Sequence, residues 1–483
     1  MTKHFSRRQF LEDSMWAATS ALALAAVPAA RSFADDASKS PSEKLGVAIV
    51  GVRGRGREHI ENFATRPDTE ILYICDADEK VGNSLCKDAE RRQGRAPKYV
   101  RDMREAFEDK AVDIVSTATP NHWHALCSIW AMQAGKDVYV EKPVSHNVSE
   151  GRRMVEAARK YNKICQTGTQ IRSTEGTKKA MAFLHAGKLG DVKLARGLCY
   201  KRRGSIGPRQ EHKPPASVDY SLWCGPAPMD PLTRRNLHYD WHWVYSTGNG
   251  DLGNQGIHQM DVGRWGLGLD GLAKRVVSYG GRLGYEDAGD TANTQVSILD
   301  YGDRKLVFEV RGLKTEPLKG ADVGNIFYGS DGYLVMTGYS SGAAFDRDGK
   351  MIEKFEGGGD HFGNFIQCVR SRKVEDLSAD IEQGHQSSAL CHLSNISYLL
   401  GEKLGQEEVK SRLGNDEENQ ETFARVAAHL KENGVDLADT KLQFGADLAF
   451  NPATETFVDH PQADKLLTRE YRAPFVVPAA GKV

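Results

Sequence analysis

Short apolar runs alternate with amphipathic segments through the first third of the chain. Five of these runs predict buried strands, over residues 45–50, 70–75, 113–119, 137–141 and 164–169. Helical periodicity lies between them and is clearest over residues 57–65, 122–134 and 149–161. Continuous apolar runs are typical of strands covered on both faces, and strand–helix alternation favours parallel pairing. Residues 45–170 are therefore predicted to form a doubly wound parallel sheet.

The pattern changes after residue 170. A helix is predicted over residues 173–186, followed by strands with alternating polarity over 193–200, 275–282, 293–301, 305–313 and 325–336. Short connections with Gly or Asp favour antiparallel pairing. Three later helices are predicted over residues 361–371, 383–400 and 417–433. We therefore expect an α+β domain over residues 171–403 that binds substrate and forms oligomer contacts, and a C-terminal extension over 404–483 that packs or contacts another subunit.

The first 34 residues have the layout of an export signal. Arg7 and Arg8, followed by Phe-Leu, precede a short apolar stretch and a run of small residues. This layout predicts a cleavable signal peptide over residues 1–34 that resembles a twin-arginine signal, with a polar linker over 35–44. The expected partner is the twin-arginine export machinery, and the expected location is the periplasm. An ordinary secretory signal and a basic tail before a buried helix are the alternatives.

Composition narrows the classes of partner. The chain has 40% hydrophobic and 27% charged residues and a formal net charge of -1, so we expect neither nucleic-acid binding nor membrane association of the mature form. The eight cysteines occur singly, without a CxxC pair. That spacing predicts neither a metal site nor a disulfide framework, and we expect mostly buried free thiols.

A glycine-rich turn follows the first predicted strand. Gly51 and Gly56 are the outer glycines of a G-x-G-x-x-G-like motif, whereas Arg53 stands in the middle position beside Gly54. A turn between a strand and a helix is where such motifs bind dinucleotide phosphates, and the charge of Arg53 suits a phosphate. Asp76 ends the second strand, where a carboxylate accepts hydrogen bonds from ribose hydroxyls and repels a 2′-phosphate. NAD is therefore favoured over NADP, with a solvated turn as the alternative.

Two further strand ends carry polar residues. Pro120-Asn121-His122-Trp123-His124 follows the third predicted strand, and Glu141-Lys142-Pro143 follows the fourth. Ligands of open α/β sheets bind at the carboxyl ends of strands, so both segments are candidates for a site. The pair of histidines favours a structural role over metal ligation.

These segments together resemble the Gfo/Idh/MocA oxidoreductases, the family of glucose–fructose oxidoreductase and inositol 2-dehydrogenase. The resemblance covers roughly residues 45–400 and implies a Rossmann domain followed by an open, largely antiparallel sheet with helices on one face. The other face of that sheet commonly mediates oligomers, which implies a homo-oligomer, a dimer or tetramer. The resemblance also implies further cofactor contacts from the strand ends, namely Thr119, Asn121, His122, Glu141, Lys142 and Gln170.

The resemblance places Lys142 nearest the reacting hydroxyl and the nicotinamide. An ammonium group stabilises an alkoxide as hydride leaves, and burial lowers a lysine pKa towards neutrality. A surface lysine after a strand is the alternative.

Asn254, His258 and Asp261 share one helix face if this segment is helical. Related enzymes carry an aspartate and a histidine here, and His258 matches the histidine. Asn254 replaces the aspartate, so it can hold a substrate hydroxyl but cannot accept a proton. His258 is then expected to carry the acid–base work, oriented by Asp261. A structural helix histidine is the alternative.

Aromatic residues suggest the substrate class. Trp241 and Trp243 flank a glycine-rich segment, and flat rings pack well against the apolar faces of sugars. Core packing explains such residues equally well. Arg172 is a further candidate for binding a substrate hydroxyl.

Three functions are consistent with these residues. The first is NAD-dependent hydride transfer at a hydroxyl or keto carbon of a sugar, glycoside or polyol. The second is a redox-neutral glycoside hydrolase that oxidises the sugar transiently, eliminates the substituent and returns the hydride. The third is a sugar-binding protein without turnover, which Asn254 and Arg53 favour and Lys142 and His258 oppose.

Overall fold

The computed structural model describes residues 43–483. The predicted signal peptide and residues 35–42 of the predicted linker lie outside the described residues. Within this range, the helices are too short or too polar to span a bilayer. All eight cysteines lie in the described part of the chain as free thiols, and all but Cys86 are buried.

The first domain alternates strands and helices as predicted. Its elements are β1 (Leu45–Val50), α1 (Arg55–Ala64), β2 (Thr69–Cys75), α2 (Glu79–Gln93), β3 (Lys98–Val100), α3 (Met103–Phe107), β4 (Ile114–Thr117), α4 (Asn121–Gln133), β5 (Asp137–Val140), α5 (Val148–Lys160) and β6 (Cys165–Thr167). The strands form a parallel sheet in the order β3-β2-β1-β4-β5-β6. This order reverses beside β1, so a crevice opens at the carboxyl ends of β1 and β4.

The second domain opens with helices and one long strand. A 3-10 turn over Gln170–Ser173 leads into α6 (Glu175–His185), β7 (Val192–Tyr200), α7 (Tyr220–Cys224) and α8 (Leu237–Asp240). A 3-10 turn over Trp241–Trp243 and a π-helical turn over Leu252–Gly256 precede α9 (Ile257–Gly266).

The remaining elements complete the sheet and its covering helices. They are β8 (Arg275–Gly281), β9 (Thr294–Asp300), β10 (Lys305–Arg311), β11 (Val323–Gly329), β12 (Gly332–Met336), β13 (Ser341–Asp346), β14 (Met351–Glu356), α10 (His361–Ser371), α11 (Ile381–Leu399), β15 (Glu402–Leu404), α12 (Gln406–Leu413), α13 (Glu417–Glu432), β16 (Leu442–Phe444), β17 (Leu448–Asn451), β18 (Thr456–Phe457) and α14 (Pro461–Lys465). A short 3-10 turn over Val374–Asp376 follows α10.

The second sheet is mixed but largely antiparallel, which confirms the predicted fold. Its order is β14-β13-β12-β11-β7-β10-β9-β8-β16-β15, with β17 also paired to β8 and β18 to β17. Of the strand pairs of this second sheet within the described residues, only β7 with β10 is parallel. The run over 325–336 was predicted as one strand, and this is wrong. It forms the hairpin β11–β12, because Gly329 pairs with Gly332 around a two-residue turn.

Helices α9 and α11 cover one face of this sheet, where Phe308, Phe327 and Leu390 form part of a continuous apolar core. Helix α10 instead packs on the first domain. Its Phe362 stacks on Tyr139 of β5 with ring centroids 4.4 Å apart, and Phe365 joins the same core. The chain therefore returns to the Rossmann domain after β14, before the last strands of the second sheet are added.

The extension adds helices to the other face of the second sheet. Helix α13 buries Phe423, Val426 and Leu430 against β8, β9 and β10, and α12 adds Val409 and Leu413 to the same core. The last residues turn back to the first domain, where Phe475 and Val477 join its core. The extension therefore packs on both domains.

A buried carboxylate anchors α13 to the sheet. Glu309 of β10 is fully buried and accepts two hydrogen bonds from Arg425 of α13, at 2.7 and 2.9 Å. Arg196, Arg311 and Tyr200 also donate to it. Burial alone would raise the pKa of Glu309, but these donors, Arg425 foremost, lower it from 4.5 to about 2.

Replacing Arg425 with Met should therefore destabilise the fold by about 3 kcal/mol at neutral pH, because Glu309 loses its main counter-charge. The pKa of Glu309 is lower in the folded chain, so its stabilisation is complete above the ordinary value of 4.5 and is lost as pH falls towards 2. Urea unfolding should show the gap between wild type and variant narrowing over that range. Arg347→Met, which removes an exposed pair with Asp331, should cost at most about 1 kcal/mol; equal losses would contradict the role of Glu309.

Candidate functional site

A cavity of about 490 Å³ opens at the carboxyl ends of β1, β2, β4 and β5. One wall is the first domain, and the other is formed by α7, α8, the aromatic 3-10 turn and the π-helical turn of the second domain. Ten of the predicted site residues line it: Gly51, Arg53, Gly54, Asp76, Thr119, Asn121, Glu141, Lys142, Trp241 and Asn254.

The glycine turn brings backbone close to the floor of the cavity. Gly51 has a φ of 77°, and a Cβ atom there would lie 2.7 Å from the backbone nitrogen of Thr119. Gly56 does not line the cavity; a Cβ atom there would lie 2.1 Å from the carbonyl oxygen of Gly51. The first glycine therefore permits the turn, and the last one lets α1 pack against it.

Asp76 is held by the backbone around it. Its Oδ2 accepts a hydrogen bond from the amide of Val52 at 3.0 Å, and Oδ1 accepts one from Asp78 at 2.9 Å. Burial raises the pKa of Asp76, while these two amides oppose the shift. The carboxylate is thus fixed at the end of β2, between the glycine turn and α2. Asp78 caps α2 and pairs with His238 of α8, 2.8 Å away, which lines the cavity.

Glu141 is a buried hub at the end of β5. Its Oε1 accepts hydrogen bonds from Arg55 at 2.8 Å and from Gln170 at 3.1 Å, and it lies 3.2 Å from His59 Nε2. Burial alone would raise the pKa of Glu141, but Arg55 and His59 hold it well below its ordinary value. Gln170 itself does not line the cavity; it donates a hydrogen bond to Glu141, which does.

Lys142 follows this hub and precedes a cis peptide bond to Pro143. Its Nζ donates to the carbonyl oxygen of Asn254, 2.5 Å away, in the π-helical turn. Burial lowers the pKa of Lys142, and the charge of Glu141 partly opposes that shift. A lysine that lines this cavity with a lowered pKa is suited to proton transfer.

His258 lies next to this cavity but does not line it. The side chain is buried, its Nδ1 has no hydrogen-bond partner among the described residues, and its ring lies 5.0 Å from that of Tyr339. Burial, with a contribution from Lys142, lowers its pKa to about 3. His258 is therefore neutral at physiological pH and close enough to Lys142 to respond to its charge.

Arg172 and Asp261 bind each other. Two nitrogens of Arg172 donate to the carboxylate of Asp261, at 2.7 and 2.8 Å, and Ser387 donates to it as well. Arg172 lowers the pKa of Asp261 against the effect of burial. Neither residue lines the cavity, and no hydrogen bond joins Asp261 to His258 in the described part of the chain. The expectation that Asp261 orients His258 is therefore wrong in this structure.

The side chains of the 3-10 turn over Trp241–Trp243 do not all line the cavity. Trp241 lines the cavity, whereas Trp243 is buried on the other side, with the guanidinium of Arg203 5.0 Å from its ring centroid. His242 between them was not predicted, although it lines the cavity and stacks on Trp241 with centroids 3.6 Å apart. Burial lowers the pKa of His242 to about 3, and Lys142 adds to that shift. The sequence offered one indication of His242, namely its position between Trp241 and Trp243, which were both predicted to bind substrate.

The two histidines of α4 are structural. His122 is buried, and its ring nitrogens face the carbonyl oxygens of Thr247 and Trp223, which leaves none for a cofactor. His124 lies between the carbonyl oxygens of Pro143 and Thr119. The expected cofactor contact of His122 is therefore not made by its side chain. Instead, both histidines join the strand ends to neighbouring segments.

Sequence comparison identifies the family. The oxidoreductase family with an NAD-binding Rossmann fold matches residues 45–169, and its C-terminal alpha/beta domain matches residues 203–432. Together these matches cover well over half of the chain. The protein therefore belongs to the Gfo/Idh/MocA oxidoreductase family.

Curated relatives include two kinds of sugar enzyme. Levoglucosan dehydrogenase of Pseudarthrobacter phenanthrenivorans is 25% identical over 49% of this chain and 54% of its own length. The alpha-N-acetylgalactosaminidase of Shewanella oneidensis is 25% identical over 31% of this chain and 34% of its own length. The match thus spans about half of the first relative and a third of the second.

Solved structures share the fold. Levoglucosan dehydrogenase in complex with NADH and levoglucosan superposes with a TM-score of 0.55 at 18% identity, over 72% of this chain and 95% of that one. The WlbA dehydrogenase from Bordetella pertussis, in complex with NADH and UDP-GlcNAcA, gives 0.53 at 20% identity, over 72% and 94%. Both likenesses support the two-domain architecture.

The residues present fit the NAD of the family. The turn at Gly51 has no room for a side chain, α1 begins directly behind it, and the carboxylate of Asp76 ends β2 at the same cavity. These are the features that bind a pyrophosphate and a ribose with free hydroxyls.

Gly51→Ala should abolish dinucleotide binding, because the new methyl group meets the backbone of Thr119 in a left-handed turn. Fluorescence titration with NADH should show at least a hundredfold weaker binding. Gly94→Ala is the matched control, since Gly94 has a similar φ of 80° with nothing within 4 Å of a Cβ atom. That variant should lose about 1 kcal/mol of stability and bind NADH normally. Normal binding by Gly51→Ala would contradict the assigned turn.

Proposed function

We propose that the protein is an NAD-dependent oxidoreductase that transfers hydride at a hydroxyl or keto carbon of a sugar, glycoside or polyol. The observation that carries this proposal is the position of Lys142. Its amine lies in the same cavity as the glycine turn and Asp76, and burial lowers its pKa. This position supports a role for Lys142 as the proton acceptor beside a bound dinucleotide.

NAD, when bound, supplies the hydride acceptor, and the chain holds it. The turn at Gly51 and the start of α1 would bind the pyrophosphate, and Asp76 would bind the ribose hydroxyls. Asp76 would also repel a 2′-phosphate, which favours NAD over NADP.

Lys142 would take the proton of the substrate hydroxyl during oxidation and return it during reduction. Its ammonium form also stabilises negative charge on that oxygen. His242 lines the same cavity and is the second candidate for the proton path, while buried His258 would act through Lys142. Trp241 offers a flat ring to a sugar, and Asn254 offers an amide to a hydroxyl.

A redox-neutral glycoside hydrolase is the second candidate. It is favoured by the similarity to an alpha-N-acetylgalactosaminidase and by the predicted export signal. Free NAD is scarce outside the cytoplasm, so an exported enzyme would have to regenerate its cofactor in place. A sugar-binding protein without turnover is the third candidate, opposed by the position of Lys142.

Export to the periplasm and a homo-oligomeric state, a dimer or tetramer, also belong to this proposal. The paired arginines of the leader support export. For the oligomer, α13 covers the sheet over β8–β10, whereas half-buried Tyr328, Tyr333 and Phe345 lie on the neighbouring part of that face. That part is the candidate contact.

Lys142→Met should lower turnover by about 10² or more while NADH binding is retained, because the variant keeps the side-chain volume but loses the proton acceptor. In wild type, oxidation needs the neutral amine, so its rate should rise with pH through a pKa below 10.5, and reduction should fall over the same range. The pH dependence of both the oxidation rate and the reduction rate should be absent in Lys142→Met. Lys350→Met, at an exposed turn, should behave as wild type. Unchanged turnover in Lys142→Met would remove this lysine from the mechanism.

The exported enzyme should carry its cofactor. We expect the mature chain in the periplasmic fraction, with close to one NAD(H) per chain released on denaturation and little NADP(H). Such a yield would favour a closed redox cycle, including redox-assisted glycoside cleavage. An empty protein that binds NAD reversibly would indicate an ordinary dehydrogenase, and absence from the periplasm would contradict export.

A further inference from the structure

A second cavity of about 640 Å³ adjoins the first. Tyr239 lines both, while Trp241 lines only the first and Trp243 only the second. The segment over residues 239–243 therefore contributes to the lining of both cavities. The opposite side of the second cavity is the segment over residues 202–206, which follows β7.

This segment is held in place by the protein around it. Arg203 donates from its backbone to Gly312 at 2.7 Å, and its side chain forms two hydrogen bonds with Asp251, at 2.6 and 3.0 Å. Ile206 donates to the carboxylate of Asp287 at 2.8 Å. Because these contacts fix the backbone directly after Arg202, little ordering of this segment is needed when a ligand binds.

The cavity lining carries more positive than negative charge. It contains Arg202, Arg203 and Arg235, but only one carboxylate, Asp240. The charge of Arg203 is matched by Asp251, which lies outside the second cavity. Two guanidinium groups then remain against one buried carboxylate.

The negative charge of Asp240 is partly offset by a buried arginine, Arg234. Arg234 is 4% exposed, and its Nε and Nη2 have no hydrogen-bond partner among the described residues. Burial raises the pKa of Asp240, and Arg234 is the main charge opposing the shift. Arg234 also lies against the ring of Trp223, 5.4 Å from its centroid. Arg234 thus offsets part of the negative charge that Asp240 brings to the cavity.

Arg202 and Arg235 carry the remaining positive charge of the lining. Both are exposed, and no ion pair or hydrogen bond within residues 43–483 engages either guanidinium. Neighbouring Lys201 is likewise exposed, and its charge contributes to lowering the pKa of Lys142. Positive charge thus continues from the second cavity towards the proposed reaction centre. A guanidinium binds a planar or tetrahedral oxyanion through paired N–H donors.

Resting on the proposed function, we propose that the substrate is an acidic sugar. Its oxyanion, a carboxylate or a sulfate ester, binds Arg202 and Arg235 in the second cavity. The ring lies along the segment over residues 239–243, and the reacting carbon is presented to Lys142 in the first cavity.

The test compares matched neutral and acidic sugars on the full mature chain with NAD. The probes are glucose and glucuronate, galactose and galacturonate, and N-acetylgalactosamine and its 6-sulfate, with NADH formation as the readout. The acidic member of at least one pair should have the lower KM. That advantage should shrink as ionic strength rises. The carboxylate and sulfate pairs tell which oxyanion is recognised.

Arginine variants locate the effect. Arg202→Gln and Arg235→Gln should each raise KM for the acidic sugar about tenfold, with little change in kcat, because each removes a charge-assisted hydrogen bond away from the reacting carbon. KM for the neutral partner should stay the same. Arg347→Gln removes an arginine outside both cavities and should leave both sugars unaffected. Equal KM values for acidic and neutral sugars, or no effect in the double variant, would overturn the inference.

A calorimetric titration separates this inference from the proposed function. If no sugar reduces NAD, the proposed hydride transfer fails, but the same acidic and neutral sugars can be titrated into the NAD-loaded chain. Acid-selective binding that is lost in Arg202→Gln/Arg235→Gln would still support the acidic-sugar subsite. Binding without selectivity, or no binding by any of the sugars, would refute it.

Discussion

The site depends on keeping one carboxylate charged inside the protein. A buried carboxylate is stable only where ion pairs and hydrogen bonds replace its water. For Glu141, that replacement comes from Arg55 and His59 of α1 and from Gln170 at the start of the second domain. Three segments distant in sequence are therefore fixed around one point. Lys142 is the next residue, so the glycine turn and the amine of Lys142 are positioned by the same set of contacts.

The sequence predicts best what is set locally. Strand ends are recognisable because buried apolar runs stop where polar residues begin, and Asp76 and Lys142 were located in this way. Side-chain pairings between residues distant in sequence could not be predicted. Arg172 and Asp261, 89 positions apart, neutralise each other, and nothing in either local sequence indicates that partner. The nitrogens of His122 likewise face carbonyl groups more than a hundred residues away. Such pairings follow from the tertiary fold, whereas residue type and spacing alone suggest a ligand.

The extension beyond residue 403 ties the two domains together. Its helix α13 is held on the second sheet by the ionised carboxylate of Glu309, and its last residues pack beside Trp123 in the first domain. The wall that faces the Rossmann strand ends is carried by the second domain. Relative motion of the two domains would therefore disturb two packed interfaces of the extension, which favours a rigid cleft.

The eight thiols have a consequence for how the chain matures. All are unpaired and none is fully exposed, so the fold is held by packing and charge without any covalent cross-link. The same native state is therefore available under reducing and oxidising conditions, and burial raises the pKa of thiols such as Cys127, to about 12, which suppresses the reactive thiolate. The folded chain therefore needs neither a disulfide oxidase nor a disulfide isomerase to reach its final form.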